Sequence, residues 1–433
     1  MLYSIGTRIS KGDGKFGSCA KASGDFACLT NAYNETLESL YRHPIDAAQV
    51  SALVKIAADN AELLGRQDAV ARSIESALLS PDFIYLTNVG EEGKSNGLMT
   101  PYELASRMAF AIWASAPDAA LIEAAKTGGL SKQVDIEAQA KRMLDDPKSS
   151  RGITRFILGW SGALSLASRN KAGDAAWTPE IANDALNETR AFVDNWWKSG
   201  APSFANLLEA DHTFASKKLA AYYGLPFPGG TGVQKIMLPA NSGRGGLLTQ
   251  TTFLAASTGS IGTSSTQRGH WVQERALCRA MVAPANTNPP DGPIERKDSD
   301  QARDYHERLI TTGCSSACHK QLEPPGFLFE GYDGIGRKQS AEKGKPIRTD
   351  ATVSSGTDID GTYANATPFI TALGKSDVVR GCVANFMLGH GFGREATDKD
   401  AALRDSVKEA LKTDAKKAML LLVSAPTFRA AVK

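Results

Sequence analysis

Several absences narrow the reading before any motif does. No apolar run approaches the roughly 18–20 residues needed to span a bilayer as a helix, which excludes an obvious transmembrane segment. Lys+Arg 49 stands against Asp+Glu 47, a net charge of +2, so no excess of either sign favours nucleic acid or a membrane surface as partner. No G-x-x-x-x-G-K-[ST] or H-E-x-x-H occurs, which removes the P-loop and zincin chemistries. The opening MLYSIGTRISKGDGKF has basic residues without the apolar stretch of a signal peptide. The protein is then either cytosolic or exported, with the chain a mature or trimmed form. No repeat of fixed period is present.

What is there is a helical texture. At 433 residues, with 42% apolar and 22% charged residues, the chain has the balance of a soluble globular protein of two or three packed units. "DAAQVSALVKIAADNAELLG" places apolar residues three and four apart and ends in Gly. In "TPYELASRMAFAIWASAPD", Thr100 is the natural N-cap, Pro101 sits at the first helical position and Glu103 completes a capping box. The same opening recurs at Thr178-Pro179-Glu180, and "VDIEAQAKRMLDDP" and "SSRGITRFILGW" are further amphipathic segments. Gly and Pro dominate 221–246, where one short strand is expected from Val233 to Leu238. The fold class is therefore mainly α with little β: a helical N-terminal unit packed on a smaller, cytochrome-c-like helical C-terminal unit. The modules are expected at 1–98, 99–228, 229–340 (carrying the Cys/His motif below) and 341–433.

Six cysteines, an even count, bear on the compartment. Cys19 and Cys28 bracket a Gly-containing loop that suits a small disulfide, and Cys278 and Cys382 remain to pair across the C-terminal half once Cys314 and Cys318 are set aside. The alternative is six reduced, buried thiols in the cytosol. The pattern favours an oxidising compartment, periplasmic or extracellular.

The densest chemistry lies in "GCSSACHKQLEPPGFLFEGYDGIGR", residues 313–337. Cys314, Cys318 and His319 form C-x-x-x-C-H, one residue longer than the C-x-x-C-H in which two thiols bind haem c covalently and the His binds iron. A helix is expected to deliver the motif from "DYHERLITTG", and the Pro and apolar residues after it suit a flat cofactor. Two other readings stay open: a local Cys314–Cys318 disulfide beside a structural His, and a zinc or copper site using Cys314, Cys318, His319 and His306. For haem, a sixth ligand is available in His390 or Met387, within "CVANFMLGHGFGRE". The plainer reading makes Met387 core and His390 a helix-end residue. Glu330, Asp333 and Arg337 read as an Asp-Gly turn pinned by an Arg salt bridge rather than as an acid/base pair, and the Ser/Thr run 257–271 reads as a loop that caps the next helix.

With these residues in place, the chain resembles the large exported proteins of planctomycetes, myxobacteria and marine bacteria that are built from several adjoining domains of unknown function, often beside a c-type cytochrome motif. The resemblance is carried by "YRHPID", "LLSPDFIY", "MTPYELASRMAFAIWASAPD", "LAAYYGL", "RGGLLTQTTFLA", "QRGHWVQERALC", "CHKQLEPPGFLFEGYDGIGR", "CVANFMLGHGFGRE" and "SAPTFR". The chain departs from the family pattern in the extra residue of its C-x-x-x-C-H and in His390, where the family more often has an aromatic. The resemblance implies export and, at Cys314, Cys318 and His319, a haem with His319 as the iron ligand. The expected function is an exported c-type haem redox protein, passing electrons to a redox partner or activating an oxidant. The alternative is a non-catalytic, disulfide-stapled scaffold that binds polysaccharide or cell envelope.

Overall fold

The computed structural model describes residues 2–90, 97–169, 171, 174–259, 262–281, 294–312 and 315–431. It is mainly α-helical, as the periodicity predicts. Among the described residues the β-strands form three two-stranded antiparallel ribbons. The expected strand is present as Gln234–Met237, paired with His212–Ala215 in the register His212 to Met237. The other two ribbons pair Ala341–Glu342 with Lys345–Pro346 and Ala351–Val353 with Gly361–Tyr363. The chain divides into two compact units, Met1–Asp146 with Val423–Lys433, and Pro147–Leu422.

In the first unit, local chemistry sets where helices begin. Asp46 caps Ala47–Leu64 through a capping box with Gln49, and Gly65 ends it. Thr100 caps Pro101–Trp113 as expected: the Glu103 amide donates to Thr100 Oγ1 at 3.1 Å and the Thr100 amide to Glu103 Oε2 at 2.8 Å. Glu103 also accepts from the amides of Val89 and Gly90, so one carboxylate ties the preceding loop to the helix start. Leu29, Tyr33, Leu37, Val50, Ala57, Val70 and Ile74 form the core between Ala27–Tyr41, Ala47–Leu64 and Arg66–Leu79. Fully burying each Leu or Ile is worth about 2 kcal/mol. The Cys19–Cys28 disulfide forms as expected, with Cα atoms 5.7 Å apart.

In the second unit, an aromatic cluster joins the helices around the site. Trp271 lies edge-on to Phe253 at 4.9 Å and to Trp160 at 5.4 Å, and Phe253 meets Phe329 at 5.9 Å. Helices Ser265–Trp271 and Ser315–Phe327 touch backbone to backbone. A Cβ placed on Gly269 would lie 1.7 Å from the Leu322 carbonyl oxygen, and one on Gly326 would lie 1.9 Å from that of Ser265. Each helix thus needs a glycine where the other crosses it. The Cys278–Cys382 pair, left over by cysteine arithmetic, forms the second disulfide, with Cα atoms 5.4 Å apart. It joins the residue after the π-helical turn Val272–Ala276 and its adjoining Leu277 to the helix Asp377–Phe392.

Candidate functional site

The glycine-mediated crossing brings Ser265 and Thr266 against Glu323, 58 and 57 residues along the chain. Ser264 caps the first helix by accepting from the Gln267 amide, which places Ser265 and Thr266 in its opening turn. The second helix carries Cys318, His319 and Glu323, and His319 and Glu323 are four apart, on one face. A third helix, Ala302–Thr311, brings His306 to the same place.

Glu323 is completely buried. Its Oε2 accepts from Ser265 Oγ at 2.5 Å. Its Oε1 accepts from Thr266 Oγ1 at 2.5 Å and lies 2.6 Å from His319 Nδ1 and 3.2 Å from His306 Nδ1. Burial pushes this carboxyl up, but the bonds from His306, His319 and Ser265 outweigh it and hold the group at about 2. It is therefore an ionised carboxylate that only accepts, so the protons lie on the two Nδ1 atoms. A neutral His319 in that tautomer carries its lone pair on Nε2, the arrangement of a metal-ligating histidine backed by a carboxylate. His319 keeps 22% of its side-chain surface exposed and His306 16%.

Of the residues singled out from sequence, His319 and His306 come together, and Cys314 lies outside the described residues. Cys318 is half-buried beside His319, but the potential metal-ligating group among the described residues consists of His306, His319 and Glu323, without Cys318. Met387 is buried in the core of the second unit. His390 lies edge-on to Phe156 at 5.6 Å and lines a separate cleft of about 850 Å³ with Arg275, Cys278 and Arg394. The Asp333 reading holds: its carboxylate accepts from the amides of Ile335 and Arg337 and from Arg337 Nε at 2.7 Å. Glu330 is instead buried beside Arg268 and accepts from Thr263 Oγ1 at 2.9 Å. Arg268, fully buried, donates to the carbonyls of Phe329, Tyr332 and Asp333, which fixes the loop leaving the motif helix.

Sequence reasoning missed Glu323, although His319 and Glu323 stand at helical i,i+4 spacing. It also missed Ser265 and Thr266, whose hydroxyls turn inward from a segment read only as a capping loop.

Compared with known families, residues 99–225 match "PSD4: Protein of unknown function (DUF1592)" and residues 244–342 match "PSCyt3: Protein of unknown function (DUF1588)". The chain thus carries two adjoining domains of unknown function, and the whole Glu323 group lies within the second. No curated protein and no solved structure matches the chain. No helix among the described residues is long and apolar enough to cross a membrane, and the two disulfides are compatible with a periplasmic or extracellular location.

Proposed function

We propose that this chain is an exported redox protein whose Cys314–Cys318–His319 segment holds haem c, with His319 Nε2 as the proximal ligand to iron. The observation that carries the reading is the 2.6 Å contact between His319 Nδ1 and the buried Glu323 Oε1. A histidine that only packed in the core would not need an ionised carboxylate buried behind it, at the desolvation cost that burial of charge entails. The donor set fits haem: one imidazole with a lone pair on Nε2, on the residue that follows Cys318. Haem, when bound, supplies one-electron chemistry at iron.

The chain's own residues act on the histidine. Ser265 and Thr266 fix the carboxylate, the carboxylate fixes the imidazole ring and its tautomer, and His306 shares the same oxygen. Raising the basicity of a ligating imidazole in this way favours the oxidised state of the iron it binds. The site then suits a low-potential electron carrier or a centre that activates an oxidant.

A second reading is favoured by the mutual approach of ligand atoms from His306, His319 and Glu323, all within 4.8 Å of one another: a divalent metal ion held by these three side chains. His319→Ala in protein made with haem-maturation machinery separates the readings. The haem reading expects attached haem with a changed spin state, because both thiols remain. Metal binding by the three side chains expects lost zinc or copper and no pigment before or after the change. A disulfide-stapled scaffold expects neither metal nor pigment and a nearly silent substitution.

A further inference from the structure

The first unit contains two adjoining cavities, the second more polar than the first. One, of about 780 Å³, is lined by Phe16, Leu40, Ile74, Leu78, Phe83 and Phe110 among others, and its walls are predominantly apolar. The second, of about 570 Å³, is lined by His43, Thr87, Tyr102, Glu103 and Ser106 among others. Both volumes are those of small-molecule sites. Arg42 and Leu86 belong to the walls of both, so the chambers meet there.

The junction is built rather than incidental. Arg42 has a φ of 68°, a conformation rare for a residue with a side chain, and ends the helix Ala27–Tyr41. From there its guanidinium donates to the carbonyls of Leu40, Asp82, Phe83 and Tyr85, and so holds the segment that separates the two chambers. Beside it, Ile84 and Tyr85 are 51% and 64% exposed, and Ile84 and Leu86 form part of the apolar chamber's wall. Apolar residues on an exposed rim of an apolar chamber mark a way in for an apolar chain.

Charge decides what kind of head such a chain carries. The guanidinium of Arg42 is met by the four carbonyls just named, and the Glu103 carboxylate by the amides of Val89, Gly90 and Thr100. The wall thus carries one cation and one anion, Arg42 and Glu103, which offset each other while neutral backbone groups engage both, so neither sign is in surplus for an ionic ligand. The remaining wall includes hydroxyls and an imidazole, from Thr87, Tyr102, Ser106 and His43, beside the apolar Pro44, Leu86 and Pro101. From this geometry we infer that the first unit binds one single-chain amphiphile with a neutral, hydroxyl-bearing head, its chain in the apolar chamber and its head in the polar one.

The test is calorimetric titration of the full chain with 1-lauroylglycerol below its aggregation concentration. One saturable site is expected, with affinity falling about fourfold for each methylene removed on going to the 1-decanoyl and 1-octanoyl compounds. Laurate, with a charged head, is expected to bind at least tenfold more weakly. Ser39 and Thr36 line the apolar chamber from the outer side of their helix, where a larger side chain enters the cavity and not the core. Ser39→Trp and Thr36→Trp are expected to weaken binding more than tenfold, with the far-UV circular dichroism and the Cys19–Cys28 disulfide unchanged. Absence of saturable binding, affinity independent of chain length, or full binding by folded Trp variants overturns the site, and laurate binding more tightly overturns the head assignment. If neither Trp variant folds, the chain-length series alone decides.

Discussion

His319 Nδ1 and Glu323 Oε1 lie 2.6 Å apart, one helical turn from each other, with the carboxylate wholly buried. This pair organises the second unit's candidate site: three helices contribute to it, and each of its polar neighbours points at the same carboxylate. A side chain held that way is costly to remove. Glu323→Ala leaves Ser265, Thr266, His306 and His319 facing a cavity without their common acceptor, and is expected to cost about 3 kcal/mol. Urea unfolding of the purified variant measures it; a loss below about 1 kcal/mol contradicts the buried-carboxylate account.

The crossing that creates the site depends on Gly269 and Gly326. Neither Cβ has room, because the obstacle is backbone and not the end of a flexible side chain. Gly269→Ala or Gly326→Ala is expected to force the two helices apart at a cost of at least about 2–3 kcal/mol, more than Gly→Ala in an open helix, where the change stabilises. Gly200→Ala is the control, since nothing lies within 4 Å of its Cβ position. Thermal unfolding compared across the three variants checks the order.

Two buried glutamates set opposite pH dependences. Glu323 is ionised down to about 2 in the fold against an ordinary 4.5, so its contribution is present above pH 4.5 and is lost as pH falls toward 2. Glu188 is pushed up to about 7 by burial, against which the bonds from Thr213 and Tyr223 and the charge of Arg244 work only in part. It stays protonated in the fold while the unfolded chain ionises from 4.5 upward, so stability falls as pH rises from 4.5 through 7. Each effect amounts to roughly 3 kcal/mol between its limits. Glu188→Gln is expected to flatten the upper slope and Glu323→Gln the lower one, measured as unfolding free energy against pH in both variants. A Glu188→Gln protein that keeps the loss between pH 5 and 7 contradicts the assignment.

The two disulfides close loops of very different span, with sequence separations of 9 for Cys19–Cys28 and 104 for Cys278–Cys382. On the chain-entropy account the larger loop contributes about 4–5 kcal/mol and the smaller about 2–3 kcal/mol. Paired Cys→Ser variants are expected to lose stability in that order in denaturant titrations. The first unit has Trp113 and the second has the other five tryptophans, Trp160, Trp177, Trp196, Trp197 and Trp271. Loss of Cys278–Cys382 is therefore the change that tryptophan fluorescence reports most strongly.

How far the sequence carries depends on whether the controlling interaction is local. Thr100, Pro101 and Glu103 define a helix start within four residues, and the expected start is the observed one. The strand Gln234–Met237 was legible, yet its partner His212–Ala215 was not, because four residues give no period and the pairing spans a whole intervening helix. The motif helix runs through Pro324 and Pro325 to Phe327, beyond where a local rule would stop it. Within the candidate site, His319 announced itself by its place beside Cys318. Glu323 did not, since its role rests on Ser265 and Thr266, which only the glycine-mediated crossing brings near. The Arg337–Asp333 pair was legible for the opposite reason: donor, acceptor and turn lie within five residues.

The central claim is tested most directly by the visible absorption of the whole chain made with haem-maturation machinery. The account predicts a Soret band that stays with the protein through acid-acetone extraction, one haem per chain, and a spectrum altered by His319→Ala but not abolished by it. A colourless protein with neither iron nor pigment, in which Cys314 and Cys318 are linked to each other, contradicts it.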